Sequence, residues 1–84
     1  MEHHSLQSVE PVEHALALAI HTQVSPYVTV THMGHSDDAW VEVIVPDDVS
    51  LTEAKVREFT RTILNNHPEM DQTVPVNILY TTFD

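Results

Sequence analysis

Apolar residues near the start of the chain recur with the spacing of a helix. From Ser8 to the pair Ser25-Pro26, positions three and four residues apart are apolar. They are Val9, Val12, Leu16 and Ile20. The spacing predicts an amphipathic helix that ends before Pro26, with Pro11 in its first turn, where a missing N–H is tolerated.

The next two segments have the patterns of β-strands. Residues 27–33, YVTVTHM, are rich in β-branched residues and alternate apolar with polar positions. Residues 39–45, AWVEVIV, are apolar at nearly every position, which favours a central strand over an edge strand. Gly34, the only glycine in the chain, opens the segment GHSDD between them, so a turn is predicted there.

A second helix has the best-marked start in the sequence. Ser50 and Glu53 match the S-x-x-E capping box, and Val49 is spaced to contact Ala54 across the helix start. The predicted buried face consists of Val56, Phe59 and Ile63. The helix is expected to end before Pro68, because a residue that precedes proline avoids helical backbone angles.

Residues 74–83, VPVNILYTTF, predict a last strand and complete the order helix, strand, strand, helix, strand. This order predicts a single α+β domain of the αββαβ ferredoxin-like or metallochaperone-like type. Both helices are expected on one face of a mixed three-stranded sheet. The domain is expected over residues 9–83 of the chain 1–84, after a disordered tail at residues 1–8.

The alternation of side chains along the strands divides the predicted sheet into two faces. The residues expected to face the helices are Val28, Val30, Val41, Val43, Val45, Val76 and Ile78. The opposite face then receives Trp40, Ile44 and Leu79, together with Met33. No segment is left to cover this apolar surface, which predicts an interface anchored by Trp40; a cation platform is the alternative use of that ring.

The charge of the chain narrows the choice of partners. Thirteen Asp and Glu residues oppose only Lys55, Arg57 and Arg61, and the formal net charge is −10. Nucleic acid is therefore not an expected ligand, since phosphate binding depends on Lys and Arg. The negative electrostatic field of the chain attracts cations or a basic protein surface. The alternative interpretation of the charge is an acidic surface that only aids solubility.

Several functional classes are not expected from this sequence. The absence of cysteine excludes disulfides and thiolate metal sites. There is no Gly-rich phosphate loop, G-x-S-x-G elbow or HExxH, so the chain is not predicted to be an enzyme. With no secretory leader and no run near the roughly 20 apolar residues of a membrane span, a cytoplasmic protein without membrane insertion is expected. The end at Asp84, directly after the last predicted strand, is compatible with a further domain in a longer chain.

Seven histidines are the feature that most favours metal binding. The richest local cluster is His32, His35 and Asp37, with Asp38 adjacent, because a tight turn brings a strand end near the loop that follows. These residues predict a site for a divalent transition metal such as zinc or copper, with water or a second subunit completing the ligand shell. The alternative is an ordinary polar hairpin turn.

The other histidines are weaker candidates for metal ligands. His14 and His21 share a helical face but are about 10.5 Å apart along the axis, too far to chelate one ion. They are expected to be exposed or to act between subunits. His3 and His4 fall in the predicted tail, and His67 is expected to cap the C-terminus of the second helix.

The chain resembles the C-terminal cytoplasmic domain of cation diffusion facilitator metal transporters. The segments AWVEVIV, PDDVSLTEA, ILNNHPEM and VPVNILY stand where that family has a strand, an acidic turn opening a helix, a Pro exit and a final strand. The resemblance spans roughly Pro11 to Thr82. It implies the αββαβ fold, a V-shaped homodimer, and binding of divalent cations such as zinc that tightens the dimer.

Several ligand positions of that family hold other residues in this chain. Lys55 stands where the family often has His, Leu79 replaces a His of the last strand, and Thr81 replaces an acidic residue. A further histidine that is frequent in the family would fall at or beside Val43 and Ile44 of this chain. The resemblance therefore implies the fold more strongly than the metal sites, and a chain without transmembrane helices does not itself transport ions.

Two functional hypotheses follow from the sequence. The leading hypothesis is a metal-binding regulatory domain that forms a homodimer through the Trp40 surface and responds to divalent metal at the His32 cluster. The alternative is a metal-independent acidic interaction module, inhibitor-like in character, that presents carboxylates to a basic protein surface.

Overall fold

A computed structural model describes residues 5–35 and 37–81, which form two helices and a three-stranded sheet. The elements in chain order are α1 (Leu6–Gln23), β1 (Thr29–His35), β2 (Asp38–Val45), α2 (Glu53–Asn66) and β3 (Val76–Tyr80). The predicted α+β class and αββαβ order are confirmed. The predictions for His3 and His4, and for the last strand beyond Thr81, lie outside the described residues.

The strand β2 lies at the centre of the sheet, as its nearly continuous apolar pattern predicts. It pairs antiparallel with β1 and parallel with β3. The parallel pair follows from the crossover through α2, since two parallel strands cannot be joined by a tight turn. The predicted mixed three-stranded sheet is therefore confirmed.

The helix α1 begins earlier than its strongest apolar spacing predicts. Ser5 is the N-cap, and its side chain accepts a hydrogen bond from the backbone N–H of Ser8 at 3.3 Å. Leu6 lies three residues before Val9 and packs against the core, which extends the apolar stripe by one turn. Pro11 consequently lies inside the helix and not in its first turn. Of the predicted tail at residues 1–8, the described part is this cap and the start of the helix.

The start of α2 is the second correction to the sequence-based boundaries. The N-cap is Thr52, whose hydroxyl accepts from the backbone N–H of Lys55 at 3.2 Å, and Ser50 is not the cap. The reason is that Leu51 is buried in the core and moves the helix start two residues along the chain. Leu51 and Val56 then occupy the two positions of a hydrophobic staple. The helix ends at Asn66 with His67 as C-cap, as Pro68 predicts.

The hairpin between β1 and β2 is tighter than the segment GHSDD suggests. His35 pairs directly with Asp38, so Gly34 and His35 belong to the strand. Gly34 has a φ of +95°, a backbone conformation that other L-residues rarely adopt. The only glycine in the chain thus lies inside β1, beside the turn that was predicted to contain it.

The hydrophobic core lies between the helices and one face of the sheet. The buried helical residues are those that the spacing predicts: Val9, Val12, Leu16, Ile20, Val56, Phe59 and Ile63. The buried strand residues of the same core are Ala39, Val41, Val43, Val45 and Val76. Val28 is buried with them, and Val30 and Ile78 pack against the core at its border. Both helices therefore cover the same face, as predicted.

We call the other side of the sheet the open face, because no described helix or loop segment packs a core against it. Its residues, by alternation and register, are Thr29, Thr31, Met33, His35, Asp38, Trp40, Glu42, Ile44, Asn77 and Leu79. The apolar members Trp40, Ile44, Leu79 and Met33 were predicted on this face, and their placement is confirmed.

Candidate functional site

The open face presents apolar side chains in two rows, with the polar row of Thr31, Glu42 and Asn77 between them. Trp40 pairs across the strands with Met33, and Ile44 lies level with Leu79 of β3. Met33 is 46% exposed and Leu79 is 50% exposed, while Trp40 and Ile44 are half-buried. Apolar surface that no element of the fold covers commonly marks a binding site. The open face is therefore the first candidate for function.

A buried carboxylate lies in the middle of this apolar surface. Glu42 is only 7% exposed, although it belongs to the face that no helix covers. Trp40 Nε1 donates a hydrogen bond to Glu42 Oε1 at 3.0 Å, and Asn77 Nδ2 donates to Oε2 at 2.6 Å. These bonds orient the indole and link β2 to β3 through side chains. They also offset part of the cost of removing a charge from water.

The indole of Trp40 is held from a second side by Gly34. A Cβ added at Gly34 would lie 2.7 Å from Trp40 Cζ3 and 2.3 Å from the backbone oxygen of Asp38. Neither distance leaves room for a methyl group. Gly34 therefore permits the ring to lie against β1, and the ring position is determined by both Gly34 and Glu42.

The basic residues of the chain are confined to one layer. Lys55, Arg57 and Arg61 all lie on α2, within the helix layer. The open face carries Asp38 and Glu42, with His35 as its only residue that could become cationic. The apolar surface is thus set in a region without Lys or Arg, within a chain of net charge −10.

The residues predicted to form a metal site are not brought together as a group. His32 and His35 are three positions apart in β1, so their side chains leave opposite faces of the sheet. His32 lies on the helix side, His35 lies on the open face opposite Asp38, and Asp37 lies in the turn. Within residues 5–35 and 37–81, no three His, Asp or Glu side chains are arranged to hold one ion. Metal binding by this chain stays a prediction.

His32 instead joins β1 to α1. Its Nδ1 lies 2.7 Å from Glu13 Oε1, and the ring nitrogen is the donor because an ionised carboxylate only accepts. The side chain of Glu13 is largely buried, while that of His32 is 38% exposed. No sequence signal pointed to this pair, since the two residues lie in different elements and meet only through the packing of α1 on β1.

A side chain from each helix donates a hydrogen bond to a backbone carbonyl at one edge of the sheet. His21 Nε2 donates to the backbone oxygen of Val28 at 2.6 Å, next to β1. Arg57 Nη1 donates to the backbone oxygen of Val76 in β3 at 2.7 Å. Unpaired edge carbonyls otherwise invite pairing with other chains. His21, predicted to be exposed or to act between subunits, is exposed but has this role in the fold.

The exposed pair His67 and Glu69 lies at the far end of α2. His67 Nδ1 and Glu69 Oε2 are 3.1 Å apart. A hydrogen bond from the backbone N–H of Glu69, followed by the contact with His67, lowers the pKa of the Glu69 carboxyl. This keeps Glu69 ionised, but the pair is remote from the open face and has no further partner that would make it a site.

A groove of about 290 Å³ lies between α1 and α2. Its apolar lining consists of Ala19, Phe59 and Ile63. At its border, Lys55 lies 5.4 Å from the centre of the Phe59 ring and 3.6 Å from Glu58. Because that cation already has partners, the groove offers a ligand fewer specific contacts than the open face does.

No family model, curated protein or solved structure matches this chain. The resemblance to the cytoplasmic domain of cation diffusion facilitators therefore stays a prediction. Neither described helix combines the length and the apolar character that crossing a bilayer requires.

Proposed function

We propose that this chain is a small protein-interaction domain that docks a partner on its open face. The observation that supports the proposal is a set of apolar side chains on the helix-free face of the sheet, Met33, Trp40, Ile44 and Leu79, with the aromatic member fixed by Glu42. A fixed aromatic side chain loses little conformational entropy on binding, which is the property of an interface anchor.

Charge complementarity identifies the kind of partner. The proposed partner presents apolar side chains together with Lys or Arg, because the open face combines apolar side chains with the carboxylates of Asp38 and Glu42 and has no basic residue other than His35. A second copy of the chain is less favoured, since each copy carries a net charge of −10 and all its Lys and Arg lie on α2. The homodimer through Trp40, Ile44 and Leu79 is the competing arrangement, and the test below separates the two.

The chain contains one tryptophan, and Trp40 lies on the face in question, so its fluorescence reports docking directly. The probe is a synthetic amphipathic helix with leucine on one side and arginine on the other. We expect its addition to shift Trp40 emission to shorter wavelength, with saturation at one peptide per chain. Added NaCl should weaken binding, because the charges at the border of the interface are screened.

Two matched variants test where the peptide binds. Leu79→Ser removes an exposed apolar group from the open face, and Leu18→Ser removes one from α1, where Leu18 is 67% exposed. We expect Leu79→Ser to weaken binding by about tenfold, the equivalent of roughly 1.4 kcal/mol, and Leu18→Ser to leave it unchanged. Equal effects of the two variants would contradict docking on the open face.

Sedimentation equilibrium of the chain without peptide completes the test. A monomer is expected at concentrations where the peptide binds. If the chain instead forms a dimer, if dimer formation shifts Trp40 emission, and if Leu79→Ser dissociates that dimer, then the partner of the open face is a second copy of the chain and not a basic protein.

A divalent-metal-binding domain is the second candidate function, and the pair His32 and Glu13 favours it. Histidines that bind metals commonly donate their other ring nitrogen to a carboxylate, which orients the ring. The bond from His32 Nδ1 to Glu13 leaves Nε2 as the ligand atom, and none of the described contacts uses that atom. One histidine falls short of a structural zinc site, so water or another subunit would complete the shell.

Calorimetry with Zn²⁺ and Cu²⁺ tests this second candidate. Binding that is lost in His32→Ala and kept in His35→Ala is the expected result. Loss in both variants would instead favour the predicted cluster of His32, His35 and Asp37. The absence of heat with the unaltered chain would remove metal binding altogether.

A further inference from the structure

Among the described residues, Glu42 is the only charged side chain in the buried class. Its two hydrogen bonds come from neutral donors, the indole of Trp40 and the amide of Asn77. A buried carboxylate is costly unless a cation accompanies it, and neutral donors offset only part of that cost. None of the three Lys and Arg residues can serve, because all lie on α2 in the other layer.

The hydrogen-bonding capacity of Glu42 is only half used. An ionised carboxylate has about four acceptor sites, two on each oxygen. Trp40 takes one on Oε1 and Asn77 takes one on Oε2, so one site remains on each oxygen. Two parallel N–H groups of a guanidinium match this remaining pattern, since Arg binds carboxylates with a planar fork.

We propose that Glu42 and Trp40 form a receptor for one arginine side chain of the docking partner. The guanidinium would bond both oxygens of Glu42 and lie against the indole, a surface that attracts cations. Arginine fits better than lysine, because an ammonium is more strongly hydrated and cannot form the planar fork. This inference rests on the proposed docking function and names the group that the open face recognises.

The test uses N-acetylarginine amide as the probe and its citrulline counterpart as the control. Citrulline has nearly the same shape but no charge. The readout is the indole N–H signal of Trp40 in a two-dimensional proton–nitrogen NMR spectrum, where a chain with one tryptophan gives one such signal. The arginine compound should shift this signal saturably, the lysine analogue should do so less, and the citrulline compound should not.

Two variants provide the comparison, and each removes one carboxylate from the open face. Glu42→Gln should weaken binding of the arginine compound by about tenfold or more, since charge-assisted hydrogen bonds are lost. Asp38→Asn removes an exposed charge from the same strand and should leave the affinity nearly unchanged. If the two variants weaken binding equally, the attraction is a general effect of acidity and the receptor is wrong.

A further variant keeps the test decisive if Glu42→Gln does not fold. In Trp40→Phe the carboxylate remains and the indole is lost, so the arginine compound should bind more weakly, as read from the side-chain amide signal of Asn77. Unchanged binding would overturn the role of the indole.

If the amphipathic peptide docks with equal affinity to Glu42→Gln and the unaltered chain, the docking function stands and the arginine receptor is wrong. If the peptide does not dock at all, the proposed function itself fails.

Discussion

Trp40 is the residue whose surroundings are most closely determined. Gly34 leaves the space in which its ring lies, and Glu42 accepts a hydrogen bond from its indole. Both contacts are made inside the sheet, where the backbone is held by strand pairing. The aromatic group is therefore oriented before any partner arrives, which lowers the entropic cost of binding.

Replacing Gly34 by alanine should destabilise the fold. The backbone at this position has a φ of +95°, and the new Cβ would approach the backbone oxygen of Asp38. We expect a loss of about 2 to 3 kcal/mol in the free energy of unfolding, from backbone strain together with the clash. Urea denaturation followed by Trp40 fluorescence measures it. Thr29→Ala, at an exposed position of the same strand, is the control and should cost less than about 1 kcal/mol. A Gly34→Ala midpoint equal to that of the control would contradict the described backbone conformation at Gly34.

The period of two along the strands was sufficient to predict which residues share the open face. It could not predict what fixes them, because Glu42 and Asn77 lie 35 positions apart in the chain and meet only when β3 joins the sheet. The pair His32 and Glu13 escaped prediction for the same reason. The prediction of the metal cluster did not take this period into account. It grouped His32 with His35, whose side chains lie on opposite faces of the sheet.

At the scale of elements, each edge of the sheet is protected by the helix packed beside it. His21 of α1 bonds the carbonyl of Val28, and Arg57 of α2 bonds the carbonyl of Val76. Arg57 reaches β3 itself, and His21 reaches the residue before β1; each of these strands has a neighbour on one side only. One backbone carbonyl at each edge is thus occupied, which hinders strand addition at that point while the face stays open.

Arg57→Met tests the protection of the β3 edge. We expect the variant to lose about 1 kcal/mol of stability, the typical value of one hydrogen bond, and to aggregate faster when partly denatured. Arg61→Met removes the same charge from the same helix, and Arg61 makes none of the described hydrogen bonds. It should behave like the unaltered chain in urea denaturation and light scattering. Equal losses in the two variants would mean that only charge matters.

The order and type of all five elements could be predicted from apolar spacing and turn residues, while the helix starts could not. Ser50 and Glu53 satisfy the capping pattern, but burial of Leu51 makes Thr52 the cap. Leu6 likewise extends α1 beyond the predicted start. Local capping energies are about 1 kcal/mol, so the burial of one leucine is enough to override them.

At the scale of the whole molecule, the acidic residues are spread over both layers, while the basic residues lie on one helix. The helix layer contains every Lys and Arg of the chain, and the sheet layer presents an apolar surface with carboxylates. A net charge of −10 on so small a domain also produces repulsion within the folded state. Stability and partner choice therefore both depend on the same acidic excess.

The melting temperature should rise with NaCl concentration. Screening shortens the range of the repulsion from about 30 Å at 10 mM salt to about 3 Å at 1 M. The double variant Asp47→Asn, Asp48→Asn removes two exposed charges from the turn after β2 and should melt higher at low salt, with a smaller gain from added salt. A melting temperature that is independent of NaCl, or equal gains in both proteins, would contradict a destabilising role for the net charge.

The most direct test of the central claim is a map of the residues that respond to a bound partner. Backbone N–H signals of the labelled chain are followed by NMR while the amphipathic leucine–arginine peptide is added. We expect the largest shifts on the open face, at Met33, Trp40, Glu42, Ile44 and Leu79, and almost none on α1 and α2. Shifts centred on the groove between α1 and α2, or spread evenly over the acidic residues, would contradict the claim that the open face is the docking surface.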